Sequence, residues 1–277
     1  VDRIMAITKL AGIHLVAAWD FAGQGIQRDL LGDLRGVPYD ATAKDDIRQY
    51  VFAAARRMDP EEQRDRLQRG SWVLNGGFYF VYRSQGLSSV GQSTAFAGSA
   101  DDYFVRRQAR AYIPDLWGQF LMGGLRLEAE AVMIAGQIEN VENTSYVRDD
   151  LKIRQYAIAF EGEYRLLDDK LNIRLYTGYA SGDADMGGLG EGTLLAQITG
   201  DNTNSLFQMH PNYRIDLILW RNILGRVGGA WYLRPGISYD IIRSPFGQLF
   251  SVGVDVVELA DVPACCWSWC EQLKGQW

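Results

Sequence analysis

Ionisable side chains recur at every second position along several stretches of the chain, with apolar residues between them. In the middle of the chain Glu161 and Glu163 flank Gly162 after Phe160, and Arg174 precedes Leu175. Side chains of a β-strand point alternately to its two faces, so this spacing predicts strands with one charged and one apolar face. Charges are costly to bury unless they are paired or hydrated. The pattern therefore predicts an interior that is either filled with water or internally paired.

If the strands close into a barrel, the charged face lines its lumen and supplies the candidate solute-binding residues. They are Arg106, Arg110, Arg126, Glu128, Glu130, Glu161, Glu163, Arg174, Arg214, Asp216, Arg234 and Asp240, with Asp255 on the same face of the last predicted strand. Rings of charge in a pore select ions by sign. Both signs occur in this set, so we expect weak selectivity. The alternative is a salt-bridge network that fills a narrow barrel.

Other arrangements of reactive side chains are weaker indications of a function. His14 with Asp20, or His210 with Asp216, could do acid–base work, but no serine lies in a nucleophile motif. Both histidines are expected to be structural, and no catalytic activity is expected.

Metal-ligand patterns are also weak. Asp183, Asp185 and Asp201 could offer oxygen ligands to Ca²⁺, but EF-hand spacing is absent and a solvated acidic loop is the better interpretation. The three cysteines, at positions 265, 266 and 270, lack the paired spacing of a zinc site. We expect no cofactor.

Composition narrows the class of protein. The 277 residues carry a net charge of -6 and contain no basic block, which argues against a nucleic-acid partner. No run of 18 apolar residues is present, so a transmembrane helix is not expected. Barrel strands need only every second residue apolar, and 30 glycines with 12% aromatic residues suit a barrel that has aromatic girdles.

The alternation predicts about ten strands. They span residues 7–19, 47–57, 72–82, 103–113, 120–136, the two arms of a hairpin in 151–183, 213–220, 227–242 and 248–256. Strands of about ten residues are long enough to cross a bilayer when tilted. Pro235 lies within a predicted strand and requires a bulge or a local break in the ladder.

Connection lengths alternate along the chain. Longer connections lie near 23–45, 84–102, 137–150 and 181–205, and tight turns lie near 114–118, 166–170 and 221–225. Short turns at one end and long loops at the other are typical of outer-membrane barrels. Two connections break the rule. The segment 58–70 is long and could hold a helical turn, and 243–247 is short.

Aromatic residues fall near both ends of the predicted strands. Near the tight turns are Trp72, Tyr112, Trp117, Phe120, Tyr164 and Trp220, and near the loops are Trp19, Tyr82, Tyr103, Tyr179 and Tyr239. Two rows of this kind indicate girdles at the membrane–water boundary. The alternative is the ordinary strand propensity of Trp and Tyr.

Three short motifs resemble the alginate-export-like family of outer-membrane barrels. They are Tyr179-Ala-Ser-Gly-Asp183, Asn204-Ser-Leu-Phe207 and His210-Pro-Asn-Tyr213-Arg-Ile-Asp216. The last motif, continued to Trp220, is also similar to large outer-membrane barrels of myxobacterial type. The resemblance implies passive export or diffusion of a polyanionic or small polar solute.

The expected fold is an all-β, antiparallel up-and-down transmembrane β-barrel over residues 1–258, followed by an irregular tail over 259–277. A chain that begins Val-Asp-Arg is interpreted as a fragment or a processed protein, so a larger barrel remains open. We expect a porin-like channel in the bacterial outer membrane, in contact with its lipid and lipopolysaccharide, with loop 181–205 as a constriction. The alternatives are a structural or adhesive barrel with a plugged interior, a lipase-like barrel enzyme, and a soluble β-rich carbohydrate-binding module.

Overall fold

A computed structural model describes residues 2–23, 46–90, 103–139, 150–183, 202–209, 228–243 and 249–261. The elements are β1 (Asp2–Leu10), β2 (Ile13–Gly23), β3 (Ile47–Arg56), helix α1 (Pro60–Gln68), β4 (Trp72–Val90), β5 (Tyr103–Met122), β6 (Leu125–Ile138), β7 (Leu151–Leu166), β8 (Leu171–Ala180), β9 (Thr203–Asn204), β10 (Ala230–Arg243), β11 (Leu249–Asp255) and β12 (Glu258–Asp261).

The strands form one sheet in the order β1-β2-β3-β4-β5-β6-β7-β8-β10-β11, with antiparallel neighbours throughout. Strand β12 pairs with β10 beyond β11, and the two-residue β9 pairs in parallel with β7. The prediction of an all-β, up-and-down antiparallel fold is therefore confirmed. The sheet is not closed, because β1 and β11 each pair with a single strand among the described residues.

The first predicted strand, 7–19, is wrong. Ala11 and Gly12 have φ angles of 49° and 80° and join β1 to β2 as a hairpin. Two-residue hairpin loops favour positive φ at both central residues, because that backbone twist matches the twist of the strands. The parity of the apolar face changes across this turn, because Leu10 pairs with Ile13, but β1 has apolar residues at both parities, such as Ile4 and Met5, which is why the pattern alone did not reveal the turn.

The predicted turn at 114–118 is also wrong. Strand β5 continues through it to Met122, and the chain reverses at Gly123 (φ 55°) and Gly124. Pro114 stays opposite Phe80 of β4 and interrupts pairing only on the β6 side. The 20-residue strand therefore carries Tyr112 and Trp117 away from the turn where they were expected.

Three other predictions of local structure are confirmed. The 151–183 hairpin exists as β7 and β8, with Leu167, Asp168 and Asp169 all at positive φ in its turn. Pairing of β10 with its outer neighbours breaks beside Pro235, between the end of β11 and the start of β12. The segment 58–70 holds α1, which agrees with the predicted helical turn.

Strand β10 pairs antiparallel with β8. The sequence prediction put the strand 213–220 between them, so β10 and β11 each run in the direction opposite to the predicted one. The predicted strand 213–220 lies outside the described residues, and so does Trp220. Tyr239 is opposite Leu171, which starts β8 just after the tight turn. Tyr239 therefore lies near the tight turns, and its predicted position near the long loops is wrong. The short connection 244–248 then falls at the same end as the tight turns. We call this end the turn end and the opposite one the loop end.

The two faces of the sheet differ sharply in chemistry. One face, the apolar face, exposes large apolar side chains on each of the strands β3 to β8 and β10, although in β6 Met133 is joined mainly by alanines and less exposed leucines. Exposed members toward the middle of these strands include Phe52 (52%), Leu74 (51%), Leu116 (61%), Ile158 (51%), Leu175 (42%) and Ile237 (50%). Apart from Arg110 of β5, the charged side chains that the described residues place on this face lie at or near strand ends. The other face, the polar face, carries small buried residues and most of the charges.

Close packing on the polar face is clearest at Gly178, which lies under the ring of the buried Tyr232. A Cβ at Gly178 would overlap the ring and lie 2.9 Å from its Cζ. We expect Gly178→Ala to lower the free energy of unfolding by about 1–3 kcal/mol, the usual cost of overpacking. Gly118→Ala is the matched control, because its Cβ would meet no atom within 4 Å. Urea unfolding that gives equal values for the two variants would contradict the packing.

Candidate functional site

Arg126 of β6 is the centre of a cluster of carboxylates on the polar face. Its Nη2 donates to Glu128 Oε2 at 2.5 Å and to Glu161 Oε2 at 3.1 Å, and its Nη1 donates to Glu163 Oε1 at 3.2 Å. The register places Glu128 opposite Glu161 and Arg126 opposite Glu163, so strand pairing itself brings the four side chains together. All four are partly shielded from water, with side-chain exposures of 16–34%.

Neutral donors extend this cluster toward β4. Glu128 accepts from Trp117 Nε1 at 2.7 Å and from Gln119 Nε2 at 2.9 Å. Gln119 Oε1 in turn accepts from Asn75 Nδ2 at 3.0 Å. Asn75 is 1% exposed, and its Oδ1 accepts from the backbone N–H of Met58 at 2.9 Å. These bonds make one continuous hydrogen-bonded network from β4 to β7.

The same network holds the helix near the turn end. Asn75 Nδ2 also contacts Gln63 Oε1 of α1, at 3.3 Å. Helix α1 buries none of its residues and carries charges along its length. Its attachment to the sheet therefore relies on polar contacts with the buried Asn75.

Toward β11 the network continues with alternating charges. Tyr176 donates to Glu163 Oε1 at 2.5 Å, and the Arg234 guanidinium lies 5.9 Å from the centre of the Tyr176 ring. Asp255 contacts Arg174 at 3.2 Å and Arg234 at 3.8 Å. Polar contacts thus cross the sheet from β4 to β11.

The structure brings together most of the predicted lumen residues. Arg126, Glu128, Glu161 and Glu163 form one group, and Arg174, Arg234 and Asp255 form a second. Glu130 lies on the same face, opposite Trp117, and Asp240 accepts from Ser251 at 2.7 Å. Arg214 and Asp216 lie outside the described residues.

Strand β5 departs from the prediction near the loop end. Arg110 is opposite Ser84 and lies on the apolar face, two residues from Tyr112. Arg110 and Tyr112 pair with β4 in one unbroken register and so share a face. A bulge separates Arg110 from Arg106: Gln108 has a φ of 40°, and the register with β4 shifts between Gln85 and Leu87. Beyond it, Arg106 is exposed while Arg107 is 4% exposed. The predicted alternation of cations in β5 is therefore broken.

The neutral members of the network were not among the residues predicted from the sequence. Asn75, Gln119 and Tyr176 share the strand parity of the charged residues, and that parity was the available signal. Trp117 was predicted to belong to a girdle, but it points to the polar face and donates to Glu128. A search restricted to charges could not find these residues.

A second polar cluster near the loop end involves Asp20, which is 4% exposed. Its carboxylate accepts from Arg3 Nε at 2.5 Å, from Arg3 Nη2 at 2.8 Å and from Gln49 Nε2 at 2.8 Å. His14 lies near the turn end, opposite Lys9. The considered His14–Asp20 pair is therefore wrong, because the two residues lie toward opposite ends of β2.

A segment from the long β8–β10 connection folds onto the polar face near the loop end. Gln155 Nε2 donates to Asn204 Oδ1 at 2.7 Å, and Ser181 Oγ donates to Ser205 O at 2.6 Å. Phe207 packs against Ala157 of β7. The inward segment, residues 202–209, therefore covers part of the polar face, while 184–201 lie outside the described residues.

The structure gives little support to the remaining candidate sites, which are the acidic loop and the cysteines. Asp183 accepts from the backbone N–H of Ser205 at 2.8 Å, whereas Asp185, Asp201 and the cysteines lie outside the described residues. Over the part of the chain that the structure describes, no group of three or more His, Cys, Asp and Glu residues could hold a metal ion.

Of the helical segments within the described ranges, none combines the length and the apolar character that crossing a membrane requires. Comparisons with protein-family models, with curated proteins and with solved structures found no match.

Proposed function

We propose that the chain is an outer-membrane β-barrel of the porin type, and that small polar solutes cross it through a narrow charged lumen. The observation that carries the proposal is the contrast between the two faces. Large apolar side chains are exposed over the middle of the sheet, while on the other face Arg126 and its three glutamates are paired and partly shielded. A water-soluble sheet buries its apolar face instead. A lipid-facing barrel has the arrangement found here.

Rings at the strand ends support a membrane position. Trp19, Tyr50, Tyr82 and Tyr112 form a continuous row across β2 to β5 near the loop end, with ring centres 5.1–6.5 Å apart. Trp72 and Phe120 stack near the turn end. Aromatic side chains favour the boundary between lipid and water.

Closure of the barrel requires β1 to pair with β11. Within the described residues the main path of the sheet has ten strands, so β1 runs from the loop end to the turn end and β11 runs in the opposite direction. The two edges therefore meet the antiparallel requirement. In lipid, unpaired backbone groups are costly enough that open edges are excluded.

A ten-stranded barrel restricts the solute to small molecules. Barrels of about eight strands are filled by their own side chains, and those of about 16–18 strands hold a wide channel. The inward segment would narrow the lumen further, in the region where a constriction was predicted. Because Arg126 faces three glutamates, we expect a modest preference for cations. This argues against the polyanionic solutes that the family resemblance implies.

Planar-bilayer recording of the purified protein tests the proposal. We expect discrete conductance steps and a K⁺ to Cl⁻ permeability ratio above one. In the Glu161→Gln variant this ratio should fall, because one lumen charge is lost. Glu61→Gln, in the exposed first turn of α1, is the matched control and should leave the ratio unchanged.

A plugged structural barrel is the second candidate, and the polar network favours it. The contacts from Asn75 to Asp255 and the inward segment would fill much of a narrow interior. Protein that inserts but conducts no current would support this candidate and overturn transport. Protein that remains in aqueous solution without detergent would overturn membrane insertion and favour a carbohydrate-binding module.

A further inference from the structure

Arginines follow the aromatic residues of the apolar face in a regular way near the loop end. On three strands the outward residue two positions from a tyrosine, toward the loop end, is an arginine. The pairs are Tyr50 with Arg48 in β3, Tyr112 with Arg110 in β5, and Tyr156 with Arg154 in β7. Two strand residues span about 7 Å, so each guanidinium begins just beyond its ring. That is the level of the headgroups if the rings mark the membrane boundary.

Two of these arginines line one cavity. Arg48 is opposite Ser84, and Ser84 is opposite Arg110, so the serine hydroxyl lies between two cations on the same face. The cavity has a volume of about 500 Å³ and is also lined by Tyr82, Arg106 and Asp46. Three arginines and one aspartate leave its lining positively charged.

Neither Arg48 nor Arg110 forms an ion pair with a carboxylate in the described ranges of the chain, and both are exposed. Arg126, in contrast, is engaged by three glutamates on the polar face. Within the described residues Arg48 and Arg110 thus offer exposed guanidinium groups, and their neighbours Tyr82 and Ser84 carry hydroxyl donors.

We propose that this cavity binds the phosphate of an anionic membrane lipid, a binding site separate from the lumen. The inference rests on the proposed membrane insertion. Guanidinium groups bind phosphate oxygens through paired, charge-assisted hydrogen bonds, and Ser84 can donate a further one. The position on the lipid-facing side, just beyond the tyrosines, favours a lipid headgroup over a phosphate free in solution.

Native mass spectrometry of the full chain in a neutral detergent tests the site, with phosphatidylglycerol as the probe and phosphatidylcholine as the uncharged comparison. We expect wild-type protein to retain phosphatidylglycerol preferentially. Arg48→Gln and Arg110→Gln should each weaken this binding by roughly tenfold, the usual scale of a lost hydrogen bond to a charged group. Arg56→Gln is the matched control: it removes an exposed arginine of the same face at the turn end and should leave binding unchanged.

Conservative variants keep the test decisive if a glutamine variant does not fold. Arg48→Lys and Arg110→Lys keep the charge but lose the paired geometry, so we expect intermediate affinity. Equal phosphatidylglycerol binding by wild type and all folded variants would overturn the site. Inorganic phosphate that competes at millimolar concentration would identify a site for soluble anions and would overturn the lipid assignment. Neither result affects insertion or conductance, whose failure would overturn the proposed function instead.

Discussion

An arginine at the middle of the apolar face should destabilise the protein by about 2–4 kcal/mol in a bilayer, which is the cost of a lipid-facing cation near the midplane. Leu175 is the position of choice, because it lies in the middle of β8 and its side chain is 42% exposed. In a water-soluble protein Leu175→Arg would change stability by no more than about 0.5 kcal/mol, because surface substitutions away from special contacts are nearly neutral. The loss of stability caused by Leu175→Arg therefore depends on whether this face of the sheet contacts lipid or water.

Urea unfolding of the protein folded into phosphatidylcholine vesicles gives the measurement. Leu167→Arg is the matched control, since it makes the same chemical change in the β7–β8 turn, where Leu167 is 64% exposed and faces water in either environment. We expect a large difference between the two variants in vesicles. Two variants of equal stability there would exclude a lipid-facing position for β8.

The alternation of apolar and charged residues predicted the β7–β8 hairpin well, because a period of two identifies a strand and also assigns each residue to the apolar or the polar face. Glu161, Glu163 and Arg174 were assigned to one face, and the structure joins them to one network through Arg126 and Asp255. Once strands pair in register, residues of like parity on neighbouring strands become neighbours without further information.

Reversals of direction were less predictable, because the change of parity at a two-residue turn is visible only where one face of each strand is clearly apolar and the other clearly polar. Ala11 and Gly12 form such a turn within what reads as one strand. Pro114 had the opposite effect: it suggests a turn, yet it is accommodated by losing pairs on one side of β5 only. Arg110 was assigned to the same face as Arg106, but the bulge near Gln108 puts the two arginines on opposite faces, and a bulge of one residue leaves no mark in composition.

Removal of the Arg126 guanidinium should produce the second large effect. Arg126→Met keeps much of the side-chain volume but leaves Glu128, Glu161 and Glu163 facing one another without their shared cation. Breaking a fully buried ion pair costs about 3–5 kcal/mol. These groups retain 16–34% exposure, so we expect a smaller loss of about 2 kcal/mol in the free energy of unfolding.

Arg165→Met is the control for this change, because Arg165 lies 4.0 Å from Glu163 with a side chain that is 53% exposed. It should cost no more than about 0.5 kcal/mol, the usual scale of an exposed pair. Adding Glu161→Gln to Arg126→Met should restore part of the lost stability, since one repelling charge is removed. If the double variant were no more stable than Arg126→Met, repulsion among the glutamates would not be the cause.

The same variant separates the two candidate functions, because stability and permeation respond to different properties of the network. In an open lumen, Arg126→Met removes a positive charge from the wall and should raise the K⁺ to Cl⁻ permeability ratio above the wild-type value. In a plugged barrel, the loss of stability would occur without any current. A conducting protein whose selectivity is unaffected by Arg126→Met would place the conducting path away from this network, and the carboxylates around Arg126 would then have a structural role alone.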